Sequence, residues 1–296
     1  MLAMFRSVSK DGPSCGVHGK KITFRCLYFL SPGGCYQKFI SILSSMKKIS
    51  IVIPVYNEKP TLEEIIRRIL EADTLGLEKE IVLVDDFSTD GSREIVESYR
   101  DRPGFLVAFQ EKNQGKGAAL RKGFDMATGD AVLIQDADLE YSPSDYAGML
   151  EPMIDERADV VYGSRFVSPA AHRVQYFLHY VFNKAFTFMS NMLTNVNLTD
   201  VETCYKVIRM DTLKKITLKE NKFSIDPELT AKLTRIPGVR IYEVGVSYNG
   251  RTYEEGKKIT LKDAFQAGYC LIKYNLNVKN IVLLLVLFAI FLVIIL

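Results

Sequence analysis

The chain has 296 residues, of which 48% are hydrophobic and 25% charged, with a formal net charge of +3. That is enough apolar material for one large core plus an appendage. No basic stripe interleaved with aromatics runs along it, which argues against a nucleic-acid partner, and five cysteines, an odd number, imply no disulfide framework.

Residues 1–45 carry Arg6, Lys10, Lys20, Lys21, Arg25 and Lys38 against Asp11 alone. Their short apolar run at 27–30 follows Arg25 and is too broken for a secretory signal. Cys15, His18, Cys26 and Cys35 match no familiar zinc spacing. The segment reads as a leader, disordered or a start-site artefact, with an organelle transit peptide as the alternative.

From Met46 a catalytic-domain pattern begins and runs to residue 259. Short β-rich runs at 49–55, 80–84, 105–109, 131–135 and 158–162 alternate with helical stretches, the signature of a doubly wound, mainly parallel sheet covered by helices. Thr61 and Glu64 read as a capping box, Ser142 and Pro143 as a second helix start, and Asp226 with Pro227 as a third. The run from His172 to Leu193 reads as a long amphipathic helix whose aromatics are mostly packing. Residues 260–280 read as an amphipathic juxtamembrane helix with Leu261, Phe265, Leu271 and Ile272 among lysines. The last sixteen residues, 281–296, hold no polar side chain and would span about 24 Å as a helix, slightly short of a bilayer core of about 30 Å. We read them as a membrane segment. Lys257, Lys258, Lys262, Lys273 and Lys279 precede it, which puts the catalytic domain on the cytoplasmic side.

Ligands of a wound parallel sheet bind outside the carboxyl ends of its strands, and the polar motifs fall there. Asp136 and Asp138 follow the fourth strand; two neighbouring carboxylates are best neutralised by a divalent cation carrying a diphosphate. That points to a nucleotide sugar. After the first and second strands come Tyr56, which can pack on a base, and Glu58 and Asp86, which can accept from ribose or base. Asp90 and Gly91 read as turn chemistry. Gly115 and Gly117 flank Lys116 at a helix start, where amides and an ammonium can meet an anion. The loop lacks the ending of a Walker A motif.

The ordered set PVYNE, DDFSTDG, NQGKGAALRKGF, DADLEYSP, YGSRF, TDVETCYKVIR and YNGRTYEEGKK resembles the family-2 glycosyltransferases that act on polyprenyl phosphates, typified by dolichol-phosphate mannose synthase and its bacterial relatives. The resemblance spans residues 47 to about 275. It implies a GT-A fold, a nucleoside-diphosphate sugar donor such as GDP-mannose or UDP-glucose, Mg²⁺ or Mn²⁺, a dolichyl or undecaprenyl phosphate acceptor, and inversion at the anomeric carbon. By matching position it implies that Pro54, Tyr56, Glu58, Val84 and Asp86 hold the nucleoside. Asp136, Ala137, Asp138 and Glu140 would hold metal and diphosphate, with the two aspartates and Glu140 as metal ligands. Arg165 would meet the acceptor phosphate, gripping it with two parallel N–H bonds. Arg251 and Lys257 would close over the donor. This sequence departs from the pattern at Phe87, where a small residue is usual, and at His179 and Asn183, where one relative has Arg and Ser.

The expected reaction is transfer of a hexose to a phosphate monoester, which is already ionised and needs no side chain to remove a proton. Glu202, Tyr205 and Lys206 would shape the acceptor side, and Cys204 reads as packing. Asp226 and Glu228 read as helix-terminus residues, with a metal role at Glu228 as the alternative. Two rival readings are a transferase with a saccharide acceptor, using Glu202, Asp226 or Glu228 as base, and a catalytically silent membrane scaffold of the same fold.

Overall fold

The structure is a computed structural model, and it describes residues 16–17, 20–21, 26–30, 36–40, 46–167, 173–174, 176–252, 254 and 261–276. The chain divides into two compact units, 1–45 and 46–296. In the first, β1 (Gly16–Val17) pairs with β2 (Lys20–Lys21), and β3 (Cys26–Leu30) with β4 (Tyr36–Ile40), both antiparallel.

The second unit carries β5 (Lys48–Val55), β6 (Glu78–Asp85), β7 (Phe105–Phe109), β8 (Ala131–Ile134), β9 (Val160–Ser164), β10 (Lys206–Arg209) and β11 (Ile241–Gly245) in one sheet of order β11-β9-β10-β8-β5-β6-β7. Strands β8, β5, β6 and β7 run parallel, as do β9 and β11. Strand β10 is antiparallel to both of its neighbours. The first five coincide with the sequence-predicted runs. The last two were not foreseen, because KVIR is four residues with a charge at each end and offers too little periodicity. Its reversed direction matters: the amino end of β10 lies at the edge where the parallel strands finish, so the residues before it enter the site.

Helices α1 (Lys59–Glu71), α2 (Ser92–Glu97), α3 (Lys116–Met126), α4 (Tyr146–Ile154), α5 (Phe177–Thr194), α6 (Met210–Leu213), α7 (Ile225–Leu233) and α8 (Leu261–Asn275) complete the unit. Leu62, Ile65, Ile66 and Ile69 of α1 are fully buried at helical spacing, each stabilising the fold by roughly 1.5–3 kcal/mol. Helix α3 lies so close on β5 that a Cβ at Gly123 would fall 2.3 Å from Val52 Cγ1. Two predicted caps move. Helix α1 starts at Lys59 with Glu58 as its cap residue, so Thr61 is inside the first turn and Glu64 pairs with Arg67 and Arg68 instead. Helix α7 is preceded by Ser224, and Asp226 belongs to its first turn. Ser142 does open its turn, a short 3-10 segment at Pro143–Asp145, by accepting from Ser144 N.

Helix α5 differs most from expectation. Only Thr187, Ser190 and Leu193 of its side chains are buried, while Phe177, Leu178, Phe182 and Phe188 are each 63–75% exposed. Periodicity marks an apolar stripe but not which side the protein covers. Helix α8 packs on α7 and touches α5. It buries Ala267, Cys270 and Leu271 and leaves Phe265 80% and Tyr269 68% exposed. Among the described residues no helix is long and apolar enough to cross a membrane; the apolar segment 281–296 lies outside them.

Candidate active site

The loops after β5 and β6 are tied together. Asn57 N donates to Ser88 Oγ, Thr89 N donates to Asn57 Oδ1, and Glu58 N donates to Ser92 Oγ. This presents Tyr56 and Phe87 as exposed rings, with Phe87 at φ 66°. A bulky residue in the left-handed region carries strain of order 1–3 kcal/mol, which such loops retain where geometry matters. Pro54 is half-buried and Val84 fully buried in their strands, so only their backbone and shape would be open to a ligand. Asp90 accepts from Ser92 and from Lys59 N, the turn role expected of it.

Asp86 is buried just after β6. Its carboxylate accepts from Gln110 Nε2 at 2.9 Å, Gln114 N at 2.8 Å and Gly115 N at 2.7 Å, fastening the glycine loop to the end of β6. Burial raises its pKa despite those amides. The glycines are explained by packing: a Cβ at Gly115 or Gly117 would lie 2.5 Å from the carbonyl of Asn221 or Glu220. The loop is therefore less an amide cradle than a means of delivering Lys116, whose Nζ lies 2.7 Å from Asp136 Oδ1 and 3.4 Å from Cys204 Sγ. Burial pushes the Asp136 carboxyl up, but the Lys116 ammonium outweighs it and holds the group below its usual range.

Arg251 is the second cation of the site. Its guanidinium spans Asp138 at 2.6 Å, Glu140 at 3.2 Å and Glu58 at 3.3 Å, joining three loops. Burial, then the charges of Asp136 and Glu140, push Asp138 up to about 7 in spite of Arg251. Ala137, between the two aspartates, is buried and accepts from Thr61 Oγ1 through its carbonyl. Such a desolvated carboxylate pair fits a hard divalent cation, which in nucleotide sites takes one or two carboxylates and completes its shell with phosphate oxygens and water. Among the described residues no three acidic, His or Cys side chains converge on one point. Glu140 turns instead to Tyr248 OH and Arg251, because β8 and the loop carrying Arg251 meet there. Lys257 lies outside the described residues.

Arg165, after β9, is nearly buried and held by Asp200 through Nε and Nη2, both at 2.7 Å, between the rings of Phe166 and Tyr248. Asn183 of α5 accepts from the same guanidinium at 3.5 Å and donates to the His179 carbonyl. Glu243 of β11 accepts from Thr199 N and Asp200 N, which sets the position of Asp200. Tyr205 and Lys206, expected to shape the acceptor side, are fully buried. Tyr205 OH donates to Gln135, and Lys206 Nζ pairs with Asp226 at 2.5 Å beneath the cleft. Glu228 accepts from Lys219 N and Glu220 N and pairs with Lys232.

Sequence reasoning missed Asp200, Glu243 and Arg173. The first two are legible only as partners in space. Arg173 lines a cleft with Tyr176, Tyr248, Gly250, Arg251 and Thr252, at the amino end of α5.

A mainly parallel sheet with acidic motifs at the carboxyl ends of its strands and one reversed strand defines a GT-A-like glycosyltransferase. The model of glycosyl transferase family 2 matches residues 50–217, more than half of the chain, and the chain belongs to that family. An undecaprenyl-phosphate 4-deoxy-4-formamido-L-arabinose transferase of Edwardsiella ictaluri (strain 93-146) is 39% identical over 125 residues, which is 41% of this chain and only 38% of that relative. Glucosyl-3-phosphoglycerate synthase from Mycobacterium tuberculosis, solved with Mn²⁺ and UDP-glucose, has a similar fold: TM-score 0.61 and 18% identity over 77% of this chain and 79% of that one. With UDP alone the same enzyme gives TM-score 0.60 and 18% identity, over 77% and 80% of the two chains.

Proposed function

We propose that the protein transfers a hexose from a nucleoside-diphosphate sugar to a polyprenyl phosphate at a membrane surface. The observation that carries this reading is the apolar, exposed face of α5 joined through Asn183 to Arg165, whose ring neighbour Tyr248 donates to Glu140, a partner of the Arg251 that holds Asp138. An anion-binding site beside a bilayer-compatible surface suits an acceptor whose phosphate is polar and whose tail is lipid. The similarity to a transferase acting on undecaprenyl phosphate supports the acceptor class. The fold shared with an enzyme solved with Mn²⁺ and UDP-glucose supports the donor class and a divalent metal.

Asp136 and Asp138 would hold the metal, which when bound supplies charge neutralisation for the leaving nucleoside diphosphate. Tyr56, Glu58 and Asp86 border the nucleoside end, and the tied loops hold its shape before the donor arrives. Lys116 and Arg251, now paired with the carboxylates, are in reach of diphosphate oxygens. Asp200 occupies the Nε–Nη2 edge of Arg165, so the acceptor phosphate would meet the Nη1 side, with Arg173 at the mouth of the cleft. The ionised phosphate attacks the anomeric carbon opposite the leaving group, which inverts the centre and calls for no general base.

The test is transfer of radiolabel from GDP-mannose or UDP-glucose, with Mn²⁺, into an organic-extractable product in the presence of undecaprenyl or dolichyl phosphate. Asp138→Ala should lower turnover at least a thousandfold, in line with the several kcal/mol a metal-held leaving group represents. Label that stays in the aqueous phase on a soluble acceptor would favour the saccharide-acceptor reading. No binding of any nucleotide in calorimetry would favour the scaffold.

A further inference from the structure

Among the described residues only two buried side-chain polar atoms lack a hydrogen-bond partner: Ser190 Oγ and Glu202 Oε1. Glu202 lies in the loop that leads into β10, and the reversed direction of that strand brings it to the cleft. Along the chain it lies two residues after Asp200, which holds Arg165, and two before Cys204, whose Sγ is 3.4 Å from the Lys116 Nζ that pairs with Asp136. Glu202 thus stands between the carboxylates that would hold the leaving diphosphate and the arginine that would hold the incoming phosphate. In an in-line displacement the hexose occupies that interval.

On the basis of the function proposed above, we propose that Glu202 determines donor specificity by hydrogen-bonding a hydroxyl of the transferred hexose. A buried acceptor left unpaired costs roughly 1–3 kcal/mol, a cost that a ligand hydroxyl removes. The phosphates are poor candidates for the partner: in the function proposed above Arg165 takes one and Lys116 with Arg251 the other, and a carboxyl group attracts neither. Burial, with Asp226 next, pushes the Glu202 carboxyl up to about 8, so that near neutral pH it offers both a donor and an acceptor, as a sugar hydroxyl does.

The full chain, as wild type, Glu202→Ala and the isosteric Glu202→Gln, is assayed with UDP-glucose, GDP-mannose and their single-deoxy analogues, and calorimetry with Mn²⁺ measures binding of UDP and GDP. For wild type, one deoxy donor should lose roughly 10- to 100-fold in kcat/KM, the value of one strong hydrogen bond. Glu202→Ala should lose a similar factor with the intact donor and no more with that deoxy donor, while nucleoside diphosphate binding stays at the wild-type value. Equal losses on intact and deoxy donors, or a change confined to the KM of polyprenyl phosphate, would overturn the proposal. If wild type forms no lipid-linked product, the function proposed above fails; donor-sugar binding in calorimetry still reads Glu202.

Discussion

At the scale of single residues, the site neutralises itself while it waits. Arg251 sits among Asp138, Glu140 and Glu58, and Lys116 sits against Asp136, so each acidic group that would hold a metal already has a cation. An arginine and a divalent ion compete for the same carboxylates. Arg251→Gln should therefore bind Mn²⁺ alone more tightly and nucleotide sugar about tenfold more weakly, since a charge-assisted hydrogen bond contributes about 1.5–3 kcal/mol. Calorimetry of the two titrations checks this, and unchanged Mn²⁺ affinity would refute the competition. The carboxyl of Glu202 gives a pH prediction. Its folded value, about 8, lies above its ordinary value of 4.5. Between these values the folded chain keeps a proton that the unfolded chain has lost, so stability declines as pH rises through that window. Glu202→Gln removes this dependence. Melting temperatures from pH 5 to 9 should fall more steeply for wild type than for the variant; parallel curves would contradict the assignment.

Among the elements, α5 and α8 stand apart because most of their large aromatic side chains face outward. Exposed aromatics on two touching helices are more than a soluble surface normally carries, and the lipid acceptor proposed above would lie on them. Phe182→Glu with Phe188→Glu should raise the KM for long-chain polyprenyl phosphate in vesicles by roughly tenfold, from the ~1.5–3 kcal/mol of one buried Phe. Transfer to a short, water-soluble prenyl phosphate should stay within about twofold, because neither ring belongs to the polar cleft. Equal effects on both acceptors would show that the pair supports the fold instead. Strand β10 is the other decisive element. Lys206 at its start is tied to Asp226 of α7 with no solvent at its ammonium, so the pair locks the sheet to the helix behind it. Asp226→Ala leaves that charge buried and unpaired, and urea unfolding should show a loss of about 3–5 kcal/mol.

For the molecule as a whole, what the linear chain determined by itself is the parallel half of the sheet and the inventory of polar groups. Runs such as IVIPV and AVLI can only be buried strands, and ligands of such a sheet gather where its strands end, so Tyr56, Glu58, Asp86, Lys116, Asp136 and Asp138 were legible from position along the chain. Tertiary structure alone decided which of these groups face each other. It paired Lys116 with Asp136, set Arg251 between Asp138 and Glu140, and assigned Asp200 to Arg165. It also reversed β10, buried Tyr205 and Lys206, left Glu202 Oε1 without a hydrogen-bond partner, and turned most aromatics of α5 outward. The physical reason is that burial patterns are local and repeat with the period of the backbone. Charge pairing and the choice of a helix's covered side depend on groups that are distant in sequence, and only folding brings those together.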